Sequence, residues 1–333
     1  MSFQPAYTHL SDAEWKAKIG RAYDLATECM LCPRNCKINR LDGNIGFCRA
    51  PNVMWISSAF AHHGEEPCLS GNKGSGTIFF SNCTLKCVYC QNYQISHEGE
   101  GEMYPNDRLA ETMLWLQRSG CHNINLVTPS HYMPWMLEAI YLAYNQGLNL
   151  PIVYNCSGYE SVEVIDLLKD IVDIYLPDMK YADGASAKEL SHASDYVNIN
   201  KKAIVAMFRQ TGSLRLDEDG IARRGLLIRH LVLPHDMAGS EKIVDFLQST
   251  FDPEDVAVSV MAQYGPRYNA CRYSKIARAI TPEEYRRASR CFKNAGFSGY
   301  FQEMQRLNDS FFINFKRRKK EALTGDERET GLQ

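Results

Sequence analysis

One stretch limits what this chain can fold into: Thr77-Ile-Phe-Phe-Ser-Asn-Cys83-Thr-Leu-Lys-Cys87-Val-Tyr-Cys90-Gln-Asn. Its first half is a short apolar run rich in β-formers, the pattern of a buried strand. The run empties into a loop with three cysteines spaced C-x3-C-x2-C. Thiolates are soft ligands that suit iron–sulfur clusters and zinc, and three this close can wrap one iron–sulfur cube. Three cysteines cannot ligate all four irons of a cube, so one iron is left open for chemistry. A zinc site completed by a fourth ligand from elsewhere is the alternative, but the spacing departs from the common zinc patterns. The expectation is a [4Fe-4S] cluster on Cys83, Cys87 and Cys90 at the end of a buried strand.

The spacing, with Tyr89 before the last cysteine, resembles the signature of the radical S-adenosylmethionine (SAM) enzymes. The wider stretch, Gly76 to Asn82 and Cys90-Gln-Asn-Tyr-Gln-Ile-Ser96, is similar to the pyruvate formate-lyase activating enzyme-like branch. The resemblance runs from about Cys29 to Met304. It implies a partial (βα)6 barrel with the cluster after its first strand. It also implies that the open iron chelates the amino and carboxylate groups of SAM. An electron from the cluster then cleaves SAM to methionine and a 5′-deoxyadenosyl radical, which abstracts a substrate hydrogen. Tyr89 is expected near the adenine. An oxygen-poor cytoplasm and a flavodoxin- or ferredoxin-like reductant follow from the same resemblance.

The 333 residues allow one large α/β domain or two smaller ones, and 45% hydrophobic residues supply ample core. The net charge of −2 gives no reason to expect a polyanionic partner. No window approaches the roughly 18 uninterrupted apolar residues of a membrane span, and no basic-then-apolar leader opens the chain. Twelve cysteines without an export signal argue for metal binding rather than disulfides. Eight of them crowd between Cys29 and Cys90, a distribution unlike that of buried structural thiols.

Cys29-Met-Leu-Cys32-Pro-Arg-Asn-Cys36 is followed by Gly43-Asn-Ile-Gly46-Phe-Cys48. A C-x2-C turn lets two sulfurs converge on one metal, and the glycines let a second loop approach. These four cysteines are expected to hold a second metal, either zinc or an auxiliary iron–sulfur cluster. This pattern too is similar to the amino-terminal segment of the same branch. Upstream, Ser11-Asp-Ala-Glu14 is a capping box for a helix over 11–27. Downstream, His62-His63-Gly64-Glu65-Glu66-Pro67-Cys68 offers ligands or acid–base groups, although such a stretch is more often a polar loop. Cys68 is a candidate extra ligand.

After the cluster loop, residues 99–105 read as a polar turn and Asn106 as the cap of a helix. Apolar runs at 123–128, 151–155, 172–176, 226–234 and 256–263 then alternate with helical segments, and Gly299 to Glu303 suggests a last short strand. Six βα repeats argue for a parallel sheet. Function in such sheets collects at the carboxyl ends of the strands. Those ends carry Cys83 to Cys90, Thr128 to Tyr132, Asn155 to Gly158, Asp178 and Lys180, Pro234-His235, and Gln263-Tyr264. By the resemblance, Thr128 to Ser130 stand where the family holds the amino end of SAM with glycines. Asn155, Ser157, Asp178 and Lys180 are candidates for contacts to SAM or substrate. Arg229 and His230 lie within one strand, with no indication of which way each points. Lys86 would offset cluster charge or be solvated.

The expected domains are a helix and four-cysteine segment over 1–75, the partial barrel over 76–305, and an extension over 306–333. The basic run Lys316 to Lys320 and the polar tail read as disordered, with a nucleic-acid role disfavoured. Three functions remain open. One is activation of a glycyl radical enzyme. The second is radical modification of another peptide, protein or small molecule. The third is a non-catalytic metal-stabilised or electron-carrying protein, which the open iron and the βα count disfavour.

Overall fold

The computed structural model describes residues 3–304 and 313–318. Apolar runs of four to ten residues pair as strands β1 (Met54–His62), β2 (Ser75–Phe80), β3 (Glu102–Tyr104), β4 (Ile124–Val127), β5 (Ile152–Cys156), β6 (Ile174–Pro177), β7 (Arg215–Leu216), β8 (Ala222–Leu231), β9 (Ala257–Met261) and β10 (Ser298–Phe301), two of them shorter still. Among the described residues they form one sheet, ordered β3-β1-β2-β4-β5-β6-β8-β9-β10, with β7 folded back on β8. From β2 to β10 all neighbours along this order are parallel; only the additions β1, β3 and β7 are antiparallel. The chain is thus the expected α/β fold: six βα units and one further parallel strand.

Parallel neighbours need crossovers, and helices supply them. The helices are α1 (Asp12–Thr27), α2 (Pro67–Ser70), α3 (Tyr93–Ser96), α4 (Asn106–Arg118), α5 (Met133–Asn145), α6 (Val162–Leu167), α7 (Gly184–Ser191), α8 (Tyr196–Thr211), α9 (Ser240–Thr250), α10 (Pro282–Asn294) and α11 (Phe315–Arg318), and those from α3 to α10 lie in the crossovers between parallel strands. Helix α1 begins with the expected capping box, and Trp15 on its inner face packs against Tyr141 and Tyr144 of α5.

Side chains of a strand alternate between faces, and that alternation builds the site. Ile78, Leu126, Tyr154, Tyr175, Ile228 and Val260 join the core under the helices. Val153, Ile174, Leu176 and Leu227 face the other way and pack with Leu69 of α2, which plugs the concave side of the sheet. One pleat further along, the same concave face carries Asn155, Asp178 and Arg229.

Three expectations are corrected here. Residues 102–104, read as part of a polar turn, form β3, which pairs with β1. Helix α4 is capped by Pro105; Asn106 lies in its first turn and donates to Glu138 Oε2 at 2.9 Å. Lys316 to Arg318, expected to be disordered, belong to α11. Phe315 is buried edge-on against Phe79, its N–H bonds Gln94 Oε1 at 2.9 Å, and Lys316 pairs with Glu98. Most of the carboxyl-terminal expectation, residues 305–312 and 319–333, lies outside the described residues. Among the described residues no helix is long and apolar enough to cross a membrane.

Candidate active site

The carboxyl ends of the parallel strands surround a cavity of about 520 Å³, within the range of about 300–1,000 Å³ usual for ligand pockets. Cys83, Cys87, Tyr89 and Cys90 enter it from the loop after β2, and Thr128, Asn155, Ser157, Asp178 and Lys180 from the ends of β4, β5 and β6. Arg229, Ser259, Met261, Gln263 and Tyr264 complete the far side. The wall nearest β1 carries His62, His63, Glu65 and Glu66.

The loop after β2 suits three metal-bound sulfurs. Asn82, just before Cys83, and Lys86, just before Cys87, adopt positive φ and turn the loop tightly at both cysteines. Each sulfur accepts a hydrogen bond: Cys87 from Ser191 Oγ at 2.9 Å, Cys90 from Ser96 Oγ at 3.2 Å, and Cys83 from the Leu85 N–H at 3.4 Å. Such bonds stabilise cluster-bound sulfur and tune its potential. Burial, with Cys87 nearby, pushes the free Cys90 thiol up to about 12, and burial raises Cys87 too. Positive charge delivered by iron is what would make thiolates of them. The donor set therefore fits a [4Fe-4S] cluster.

Opposite the cysteines lies a network of buried charge. Arg229 Nε donates to Asp178 Oδ1 at 2.9 Å and its terminal nitrogen to Asn155 Oδ1 at 2.6 Å. Lys180 Nζ donates to Asp178 Oδ2 at 2.6 Å. Burial alone would raise the Asp178 carboxyl, but Arg229 and Lys180 hold it below its usual value. Lys180 is raised despite burial because Asp178 and Cys87 lie beside it. Glu65 and Glu66 are pushed upward by burial, with Arg229 opposing. Tyr89 is buried in the cavity wall, where its hydroxyl accepts from Tyr181 at 2.7 Å.

Thr128 has φ +60, the left-handed region that glycine favours, and its N–H bonds Asn155 O at 2.8 Å. The chain thus takes a glycine-like path without glycine.

Several sequence candidates fall elsewhere. Ser130 turns into the core, donating to Glu160 Oε1 at 2.8 Å, and does not line the cavity. His230 faces the helix side, bonded to Met179 O and Ser240 Oγ; only Arg229 points into the cavity. His235 lies outside the cavity, where its N–H bonds Glu284. Cys68 packs in the apolar plug with Leu69 and Leu176, where burial pushes its thiol up to about 11. Lys86 stands half-buried with Cys83 and Cys48 both near it. The stretch 62–66, more readily taken as a polar loop, lines the cavity, and Glu65 and Glu66 are the residues most easily missed. Ser191, the donor to Cys87, has no signal in sequence.

In the amino-terminal segment, Cys29, Cys32 and Cys48 are buried and Cys36 is partly exposed. A Cβ on Gly46 would fall 2.9 Å from Cys36 Sγ, so a larger residue would push the Cys36 sulfur aside where the two loops meet. The buried Arg40 guanidinium lies 3.9 Å from Cys48 Sγ and bonds His131 O and Pro51 O. Burial pushes the Cys32 and Cys48 thiols up, with Arg40 only opposing at Cys48, so a metal would have to supply the charge that makes thiolates of them. Among the described residues no three His, Cys, Asp or Glu side chains form a group that could hold a single metal ion.

A parallel βα sheet whose first βα loop puts three cysteines into a cavity at the strand ends defines a class, and comparison with known proteins agrees. The family model "Radical SAM superfamily" matches residues 77–185. Uncharacterized protein MJ0674 of Methanocaldococcus jannaschii is 33% identical over 281 residues, covering 81% of this chain and 76% of its own. The chain belongs to the radical SAM superfamily, which implies a [4Fe-4S] cluster and SAM. Similar solved structures include a radical SAM methyltransferase from Sphaerobacter thermophilus (14% identity, 68% of this chain, 65% of that one, TM-score 0.44). The FeFe-hydrogenase maturase HydG from Carboxydothermus hydrogenoformans is another (14% identity, 69% of this chain, 53% of that one, TM-score 0.46). The chain spans less than two thirds of each of these two.

Proposed function

We propose that this protein reductively cleaves SAM and abstracts a hydrogen atom from a substrate held in the same cavity. One observation carries the reading: three cysteines and the polar ends of the neighbouring strands face a single cavity. Cys83, Cys87 and Cys90 would hold the cluster. When bound, that cluster supplies the electron that cleaves SAM and starts hydrogen abstraction. Asp178, kept ionised by its two cations, is a ready acceptor for hydroxyl or ammonium hydrogens. Lys180 and Arg229 retain donors for a carboxylate. Thr128, Asn155 and Ser157 supply neutral contacts to SAM or substrate, and Tyr89 an apolar wall. Water is kept from the far side by the plug of Leu69, Leu176 and Leu227.

Activation of a glycyl radical enzyme is one form of this reaction. Radical modification of another peptide, protein or small molecule is the other form, and there Glu65 and Glu66 on the cavity wall offer carboxyl groups to a substrate's hydrogen-bond donors. Cys29, Cys32, Cys36 and Cys48 would hold a second metal, and an assay of zinc against iron and sulfide in the purified protein identifies it. A cytoplasmic setting with a flavodoxin- or ferredoxin-like reductant completes the reading.

The test is release of 5′-deoxyadenosine by anaerobically purified protein, reconstituted with iron and sulfide and given SAM and dithionite. Release should disappear in Cys87→Ala. A cluster-loaded protein that neither binds nor cleaves SAM overturns the reading.

A further inference from the structure

If the cluster is to be reduced, a donor must come close to it, because electron tunnelling falls steeply with distance. One exposed segment is tied through Arg34 to the loop that carries the cluster cysteines. Leu41, Ile45 and Phe47 are exposed, Ile45 by 61%, within seven residues of chain beside Cys48. The other exposed large apolar residues among those described, such as Met103 and Leu216, are far apart in the chain. Such clustering marks an interaction surface, whereas scattered apolar residues are ordinary.

The patch has a charge as well as a shape. Lys37 and Arg49 are exposed at either end of this stretch of chain, and the half-buried Lys86 lies near Arg49, Cys83 and Cys48. Asp42 is the one carboxylate in 37–49, and it accepts from Asn39 Nδ2 at 2.9 Å. The patch is tied to the cluster loop. The Phe47 ring lies 3.9 Å from the Arg34 guanidinium. Arg34 Nε donates to Thr84 O at 2.9 Å, next to Cys83. Its terminal nitrogen donates at 3.1 Å to Ser191 O, whose own hydroxyl bonds Cys87 Sγ.

We propose that the surface of Leu41, Ile45, Phe47, Arg49 and Lys37 docks a small acidic one-electron carrier protein, and that electrons enter the molecule here. The proposal rests on the radical SAM reading. An apolar centre rimmed by positive charge complements an acidic carrier, steering its approach and fixing its orientation. One electron leaves the reduced carrier, which is oxidised, and enters the Cys83–Cys87–Cys90 cluster, which is reduced; no covalent bond forms. The interaction does not depend on which metal the amino-terminal cysteines hold.

The test uses a flavodoxin as probe, with dithionite as a reductant that needs no docking. Ile45→Asp and Arg49→Glu are compared with the unaltered protein. The KM for reduced flavodoxin should rise about tenfold in each and grow more sensitive to salt in the unaltered protein than in Arg49→Glu. Dithionite-driven 5′-deoxyadenosine release and iron content should not change. Calorimetric binding of oxidised flavodoxin should weaken in parallel, and it reads docking even if dithionite yields no cleavage, the outcome that sinks the radical reading instead. Unchanged flavodoxin binding and KM in both variants overturn the proposal. So does a dimer that Ile45→Asp converts to monomer with flavodoxin kinetics intact, since the patch would then join two copies of this chain.

Discussion

Arg229 donates its Nε–H to Asp178 Oδ1 at 2.9 Å, joining β8 to the end of β6, while its terminal nitrogen bonds Asn155 near the end of β5. The same guanidinium stands 3.9 Å from Glu65. One cation therefore compensates carboxylates brought from separate segments. Removing one partner of a buried ion pair strands the other, at a cost of about 3–5 kcal/mol. Arg229→Met should lose stability of that order in urea denaturation and should lose SAM binding. Arg229→Lys, which keeps charge but not the fork, should fall between. A loss below about 1 kcal/mol in Arg229→Met would show that the network does not depend on this residue.

The Ser191 hydroxyl on Cys87 Sγ is the next to test, since donors to cluster sulfurs raise reduction potential by stabilising the more negative, reduced state. Ser191→Ala should lower the midpoint potential in an EPR-monitored titration while leaving iron content intact. An unchanged potential with full iron would mean that this bond does not reach a cluster ligand.

The parts legible in sequence are those set by local pattern. Apolar runs bounded by Gly, Pro and Asn marked β4, β5, β6, β8 and β9 because each is short, buried and flanked by helical spacing. The capping box at Ser11 is legible too, since it needs only four residues, and Thr281 opens α10 with another. What pattern missed depends on distant partners. Strand β1 carries buried Ser57 and Ser58 beside a register shift against β2, which spoils its alternation. Glu65 and Glu66 looked solvated because nothing local reveals that the β1–β2 connection folds into the concave face. Ser130 follows a strand end, yet Pro129 starts a turn that sends it to Glu160. The facing of Arg229 and His230 was in principle decidable: Leu227 faces the plug, so Arg229 shares its face. Phe315 closes the short run Phe311-Phe-Ile-Asn-Phe315 before the basic residues, and its anchor on Phe79 lies more than 200 residues away.

Thr128 invites a second stability measurement. A β-branched residue at φ +60 carries backbone strain of about 1–2 kcal/mol, and Pro129 after it adds to the constraint. Glycine removes the strain but adds flexibility to the unfolded chain, worth about 0.5–1 kcal/mol. Thr128→Gly should therefore be neutral to about 1 kcal/mol stabilising, unlike Thr128→Val, which keeps the strain. A loss above 1 kcal/mol in the glycine variant, about the size of one lost hydrogen bond, would show that the Thr128 side chain itself holds the strand end.

Asp173 gives the pH dependence its sign. It is buried, accepting from the Ala6 N–H at 2.8 Å and the Ile152 N–H at 3.0 Å, and so ties the amino-terminal segment to β5. Burial outweighs those bonds and pushes its carboxyl from 3.8 up to about 7. Between those values the folded chain keeps a proton that the unfolded chain has released. The folded state binds more protons there, so this group's contribution falls as pH rises from about 4 to about 7, by up to about 1.4 kcal/mol per pH unit. Glu160, pushed by burial to about 7 while accepting from Ser130 and Tyr154, acts in the same direction. Urea denaturation across that window should show Asp173→Asn losing less stability with rising pH than the unaltered protein. The two curves should converge or cross near neutrality. Parallel curves would place the Asp173 proton release in both states at the same pH, and the burial argument would fail.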